Sequence, residues 1–74
     1  LYIADSRNHR VMKWSSGAKV GEIVAGGHGE GDGLDQLCFP NGIVVDNMGT
    51  VYVADTYNNR IVAWSRDARE GVIL

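Results

Sequence analysis

Asp5 and Arg10 stand five residues apart, and Asp55 and Arg60 repeat that spacing. Across a hairpin tip, such a carboxylate can accept backbone N–H bonds and take a guanidinium in a two-pronged pair, which would fix the register of the two strands. The recurrence points to structure, since a catalytic group is normally needed once. His9, His28 and Cys38 are zinc-ligand types, but they show none of the paired spacing that a four-ligand structural zinc site uses. His9 is therefore expected to hold its turn by a hydrogen bond. Cys38, between Leu37 and Phe39, is expected to be a small buried apolar residue. No catalytic residue, cofactor or metal site follows from these residues.

Residues 26–33 read Gly-Gly-His-Gly-Glu-Gly-Asp-Gly, which superficially suggests a phosphate cradle. Such cradles open a helix with free N–H groups, and nothing after Gly33 reads as a helix. Glu30, Asp32 and Asp35, with no Lys or Arg in residues 26–39, would also repel phosphate. The same acids miss the spacing of known calcium loops: Gly31 stands where a β-helix calcium repeat wants Asp. A flexible, solvated segment is the expectation, with its glycines permitting positive φ. Ser, His and Asp are all present, but no nucleophile motif brings them together.

The chain has 74 residues, 45% of them apolar and 22% charged, values of a folding chain rather than a disordered one. Ten glycines and short clusters rich in Val, Ile, Tyr and Trp favour strands over helices. Seven Lys and Arg against nine Asp and Glu leave a net charge of −2, which disfavours a nucleic-acid partner. The single cysteine allows no internal disulfide to reinforce a small core. No apolar run exceeds four residues, too short for a membrane-spanning helix or the core of a signal peptide, so no membrane partner is expected.

Shifting the chain by 50 residues lays residues 1–24 on residues 51–74 without a gap, and ten of those 24 positions are identical. Tyr2, Ala4, Asp5, Asn8, Arg10, Trp14, Ser15, Ala18, Gly21 and Ile23 meet the same residue types in the second copy. The complete unit reads as strands over 42–45, 51–54, 60–65 and 72–74, with a tight turn at 46–49 and a polar hairpin tip at 55–59. The earlier copy shows the same order at 2–4, 10–14 and 22–25. Four antiparallel strands in about 50 residues is the size of a propeller blade. Both side-chain parities are apolar (Ile61 and Ala63 on one side, Val62 and Trp64 on the other), which predicts a blade covered on both faces.

Pro40-Asn41-Gly42-Ile43-Val44-Val45-Asp46, then Gly49, then residues 51–56 with Asn58-Asn59-Arg60-Ile61-Val62 and Trp64, closely resemble the NHL repeat. Residues 2–6 with Asn8-His9-Arg10-Val11 resemble its second half. The resemblance implies an all-β fold: two antiparallel blades, one incomplete, of an NHL-type β-propeller, commonly six-bladed. Residues 1–25 are then a blade lacking its first strand, 26–39 a glycine-rich interblade loop, and 40–74 a second blade, all within one propeller domain. The chain is expected to begin within a longer protein and to pack against the remaining blades of its parent, or to self-associate when isolated.

In such a blade the hairpin tips and the interblade loop share one face, the natural binding face. Asp5, Arg10, Asp55, Arg60, Trp14, Trp64, Pro40 and Gly42 read as structural repeat residues. Trp14 and Trp64 could stack nucleic-acid bases, but burial between blades fits their apolar area better. Positions that break the repeat are the candidate contacts: Arg7 against Tyr57, and His9 against Asn59. The expected function is a scaffold binding a protein or peptide through that face. The family also implies two alternatives, an RNA-binding propeller and a metal-dependent propeller lyase or hydrolase. The acids beside Arg7 oppose the first, and the second gathers its ligands from several blades.

Overall fold

The computed structural model describes residues 1–74 and is all-β, with seven strands in two antiparallel sheets. The first sheet holds β1 (Tyr2–Asp5), β2 (Arg10–Lys13) and β3 (Glu22–Gly26), in that order. The second holds β4 (Pro40–Val45), β5 (Val51–Asp55), β6 (Arg60–Trp64) and β7 (Val72–Ile73), also in sequence order. Each strand follows from a β-branched or aromatic cluster that ends at turn chemistry. Between β4 and β5 the Asp46 carboxylate accepts the amides of Met48 and Thr50, both at 2.9 Å. Tyr52 Oη donates to the same carboxylate at 3.3 Å. The Thr50 amide foremost, with the Met48 amide and the Tyr52 hydroxyl, holds the Asp46 carboxyl below its ordinary value.

The two hairpin tips are near copies. Ser6–Asn8 and Thr56–Asn58 each form a 3₁₀ turn, closed by His9 and Asn59, both left-handed at φ 53°. Asn and His tolerate that conformation better than most residues, which is why the two tips can differ there without changing shape. The strands after the tips return in register, Asp5 opposite Arg10 and Asp55 opposite Arg60.

The sheets meet face to face. Val11 and Ala25 of the first sheet, Val51, Val53, Val62 and Trp64 of the second, and Leu37 between them form one buried cluster. Along β5 and β6 one parity is buried and the other is not: Val62 and Trp64 are inside, whereas Ile61 is 45% exposed and Val44 on β4 is 68% exposed. The expectation of a blade covered on both faces is thus met on one face only, because this chain supplies a single neighbouring sheet. Trp64 is buried and Trp14, at the same phase of the repeat, is half-buried and outside that cluster.

Candidate functional site

The segment 26–39 crosses from β3 to β4 and lies against both hairpin tips. Its composition suggests a flexible, solvated loop; Gly27, His28, Gly29, Glu30, Asp32 and Leu34 are exposed, and hydrogen bonds join the segment to both tips. Leu37 is fully buried, and Gly26 must be glycine beside it: φ is +68°, and a Cβ there would lie 2.6 Å from the His9 carbonyl oxygen and 2.9 Å from the Leu37 side chain. Gln36 bridges the loop internally, accepting from the Gly33 amide at 3.1 Å and donating to the His28 carbonyl at 3.1 Å. Asn58 Nδ2 donates to the Gly31 carbonyl at 2.8 Å, and the Tyr57 amide to the Cys38 carbonyl at 3.2 Å.

Asp55 and Arg60 do more than set the hairpin register. Asp55 is fully buried, accepting from the Cys38 amide at 2.7 Å, Asn58 Nδ2 at 2.9 Å and Arg60 Nε at 2.7 Å. The remaining guanidinium nitrogens of Arg60 reach the carbonyls of Asp32, Gly33 and Gln36, each at 3.0 Å. The expected two-pronged fork and the bonds to the tip backbone are therefore replaced. Arg60 gives the carboxylate one N–H and spends the others on the interblade segment, and Asp55 takes its backbone bond from Cys38. The first copy keeps only the local part: Asp5 accepts from Asn8 and from Arg10 Nε at 2.9 Å, with both side chains about a third exposed. Asn8 foremost, then Arg10, holds the Asp5 carboxyl below its ordinary value.

The repeat-breaking residues fall into two groups. His9 is half-buried, and its Nδ1 accepts from the Phe39 amide at 3.1 Å, so its hydrogen bond joins the first tip to the interblade segment rather than closing its own turn. Phe39 sits at φ 49°, a strained conformation for an aromatic residue, with its ring edge-on to His9 at 4.5 Å and tilted on Tyr57 at 4.6 Å. Three rings thus cross the seam between the sheets, ending on Tyr57, which is 67% exposed. Arg7 and Asn59 are exposed on the two tips. Pro40 is buried at the start of β4, where its carbonyl accepts from Ser6 Oγ, and Gly42 pairs with Ala54. His28 remains outside this arrangement, its Nδ1 against the Asp35 carbonyl at 3.0 Å.

Cys38 is half-buried rather than buried. Its thiol lies 3.5 Å from Glu30 Oε2, and burial first, then Glu30, pushes the thiol above its ordinary value. The donor atoms of His9, Glu30 and Cys38 lie within 4.8 Å of one another, which makes these three the residues able to hold a metal ion. Linear spacing did not reveal them, because positions 9, 30 and 38 are joined only through the interblade crossing. The contribution of Phe39 to the site was equally hidden, since a left-handed aromatic has no sequence signature.

Residues 37–64 match the family model of the NHL repeat, from the buried Leu37 through the buried Trp64. Two facing antiparallel sheets built on a 50-residue repeat are blades of the propeller class. Residues 37–64 carry an NHL repeat, which lies within the second blade and the last residues of the interblade segment. No curated protein matches the chain.

Proposed function

We propose that this propeller segment is a protein-interaction scaffold, and that it binds a protein or peptide through the face made by the two hairpin tips and the interblade segment. The observation that carries this reading is the supported ring of Tyr57. An exposed aromatic on a clamped loop loses little side-chain freedom on binding, and such rings are common anchors of peptide contacts. Its ring rests on Phe39, whose own position is held by His9. Arg7 and Asn59 on the tips, with Glu30 and Asp32 on the segment, surround the anchor with exposed polar groups of both signs. That is the composition of a polar rim. The clefts of the molecule lie between the sheets beside Tyr2, Lys13 and Arg66, beside Gly27 and His28, beside Asp35 and Arg69, and on the open face beside Gly42, Tyr52 and Ile61, and none is lined by Arg7, Tyr57 or Asn59. A macromolecular surface suits the tip face better than a small ligand does.

The charge balance disfavours RNA on this face, since Arg7 is its one exposed cation beside Glu30 and Asp32. A displayed peptide library selected on the full chain tests the proposal. Enriched peptides are expected to lose at least about tenfold in affinity with Tyr57→Ala, a change of about 1.4 kcal/mol, and less with Arg7→Ala. They should be indifferent to Val44→Lys on the open face. Peptides insensitive to Tyr57 and Arg7 would place binding elsewhere, and equal losses of folding would make those residues structural.

A further inference from the structure

We propose that His9, Glu30 and Cys38 form a three-ligand site for a borderline-soft divalent cation of the Zn²⁺ type, pinning the first hairpin tip to the interblade segment. The three come from separate parts of the chain and converge to within 4.8 Å. With metal bonds of about 2.0–2.3 Å, neighbouring donors of a tetrahedral zinc site sit roughly 3.3–3.8 Å apart. Cys38 Sγ and Glu30 Oε2 already stand at 3.5 Å. No pair of donors is more than 4.8 Å apart, so closing the triangle takes movements of no more than about 1–1.5 Å.

The backbones beneath these side chains are held in place. Glu30 bridges to Leu37, and the Gly31 amide donates to the Leu37 carbonyl at 3.3 Å, which brings the two limbs of the segment together beside Cys38. The Cys38 amide is anchored on Asp55. Such outer contacts orient ligands before a metal arrives. A thiol with an imidazole selects Zn²⁺ or its soft neighbours over Ca²⁺ and Mg²⁺, which prefer all-oxygen sites. The second copy has Asn59 where the first has His9, so the equivalent position of the other tip lacks the nitrogen ligand.

Binding is balanced in protons. His9 Nδ1 carries the lone pair that the Phe39 amide now occupies, so the cation replaces that hydrogen bond and the ring proton stays on Nε2. Cys38 releases its thiol proton to solvent and binds as thiolate, and Glu30 contributes a carboxylate oxygen. The fourth position stays open to water, since Glu30 is exposed and the other two are half-buried.

Titration of the full chain with Co²⁺, followed by absorption and with Zn²⁺ as competitor, tests the site. One equivalent is expected to bind with a thiolate-to-metal charge-transfer band that Zn²⁺ abolishes. Cys38→Ser should remove the band. His9→Asn, which installs the residue the second tip already uses in the same backbone conformation, and Glu30→Gln should each weaken binding by about tenfold or more. His28→Asn should leave the band in place. Because substitutions in the segment can disturb folding, the unsubstituted chain supplies a second measurement: saturating Zn²⁺ should slow alkylation of Cys38 at least about tenfold by withdrawing the thiolate. Binding without the thiolate band, a band unaffected by His9→Asn and Glu30→Gln, or alkylation unchanged by Zn²⁺ would overturn the proposal.

Discussion

Asp5 and Asp55 occupy the same position of the repeat and pair with the same arginine five residues on, yet their removal should have very different effects. Asp55 is fully buried and takes bonds from Cys38, Asn58 and Arg60, and the Arg60 side chain is only 10% exposed. Deleting one member of a buried ion pair leaves the other charge without its partner in a poorly solvated place, which costs about 3–5 kcal/mol. Arg60 keeps its bonds to the carbonyls of Asp32, Gly33 and Gln36, so Asp55→Ala belongs near the lower end, about 3 kcal/mol. In the first copy the two side chains are 32% and 30% exposed. Water replaces much of what Asp5→Ala removes there, and the expected loss is about 0–1 kcal/mol. Urea unfolding followed by Trp14 and Trp64 fluorescence measures both variants. A chain of this length is stabilised by roughly 4–11 kcal/mol at typical values per residue, so Asp55→Ala removes roughly a quarter to three quarters of it. Asp55→Asn, which retains an oxygen for the Cys38 amide, provides an intermediate loss of about 1.5–3 kcal/mol. Equal losses for Asp5→Ala and Asp55→Ala, or a larger one for Asp5→Ala, would refute the argument that burial and the interblade bonds decide the difference.

The acid limb of stability should depend on Asp46 and Asp5. Both carboxyls are lowered by folding, so their contribution is present above the unfolded value of 3.8 and is lost as pH falls through the lower folded values; Asp46→Asn should flatten that limb in urea midpoints measured from pH 6 downward. Gly71→Ala should destabilise by about 1–3 kcal/mol through overpacking, because its Cβ would run into Val62 and lie 2.7 Å from the Trp64 ring; an unchanged urea midpoint would show that this corner can relax. The open face of the second blade carries Tyr52 and Ile61, the repeat equivalents of Tyr2 and Val11, with which the first blade packs against the second. We therefore expect this face to take another blade of the same kind. Sedimentation of the isolated chain should show concentration-dependent association that Ile61→Asp removes, and association indifferent to Ile61→Asp would contradict it.

Much of the fold was legible because it is local and repeated. The strands at 2–4, 51–54 and 60–65 end within a residue of β1, β5 and β6, since each is bounded by turn chemistry that acts over a few residues. The second sheet began earlier than expected, at Pro40 instead of Gly42, because pairing with Asp55 extends β4 through an irregular register. Burial was less legible. The apolar content of Ile61 and Val44 matches that of Val62 and Val53, and only the placement of the neighbouring sheet decides which of them lies inside.

The amino-acid sequence by itself determined the repeat, the all-β class, the two hairpin tips and the NHL repeat that the Pro40-to-Trp64 pattern resembles, because all of these rest on periodicity and on contacts within a few residues. The tertiary structure alone decided what residues 26–39 do. It made a glycine-rich run into a clamped crossing, turned His9 toward Phe39 and Asp55 toward Cys38, and set Glu30 beside Cys38. Those contacts span 8 to 30 positions of the chain. They form only after two sheets have packed around Leu37, and no spacing rule along the sequence encodes the path of a chain between blades.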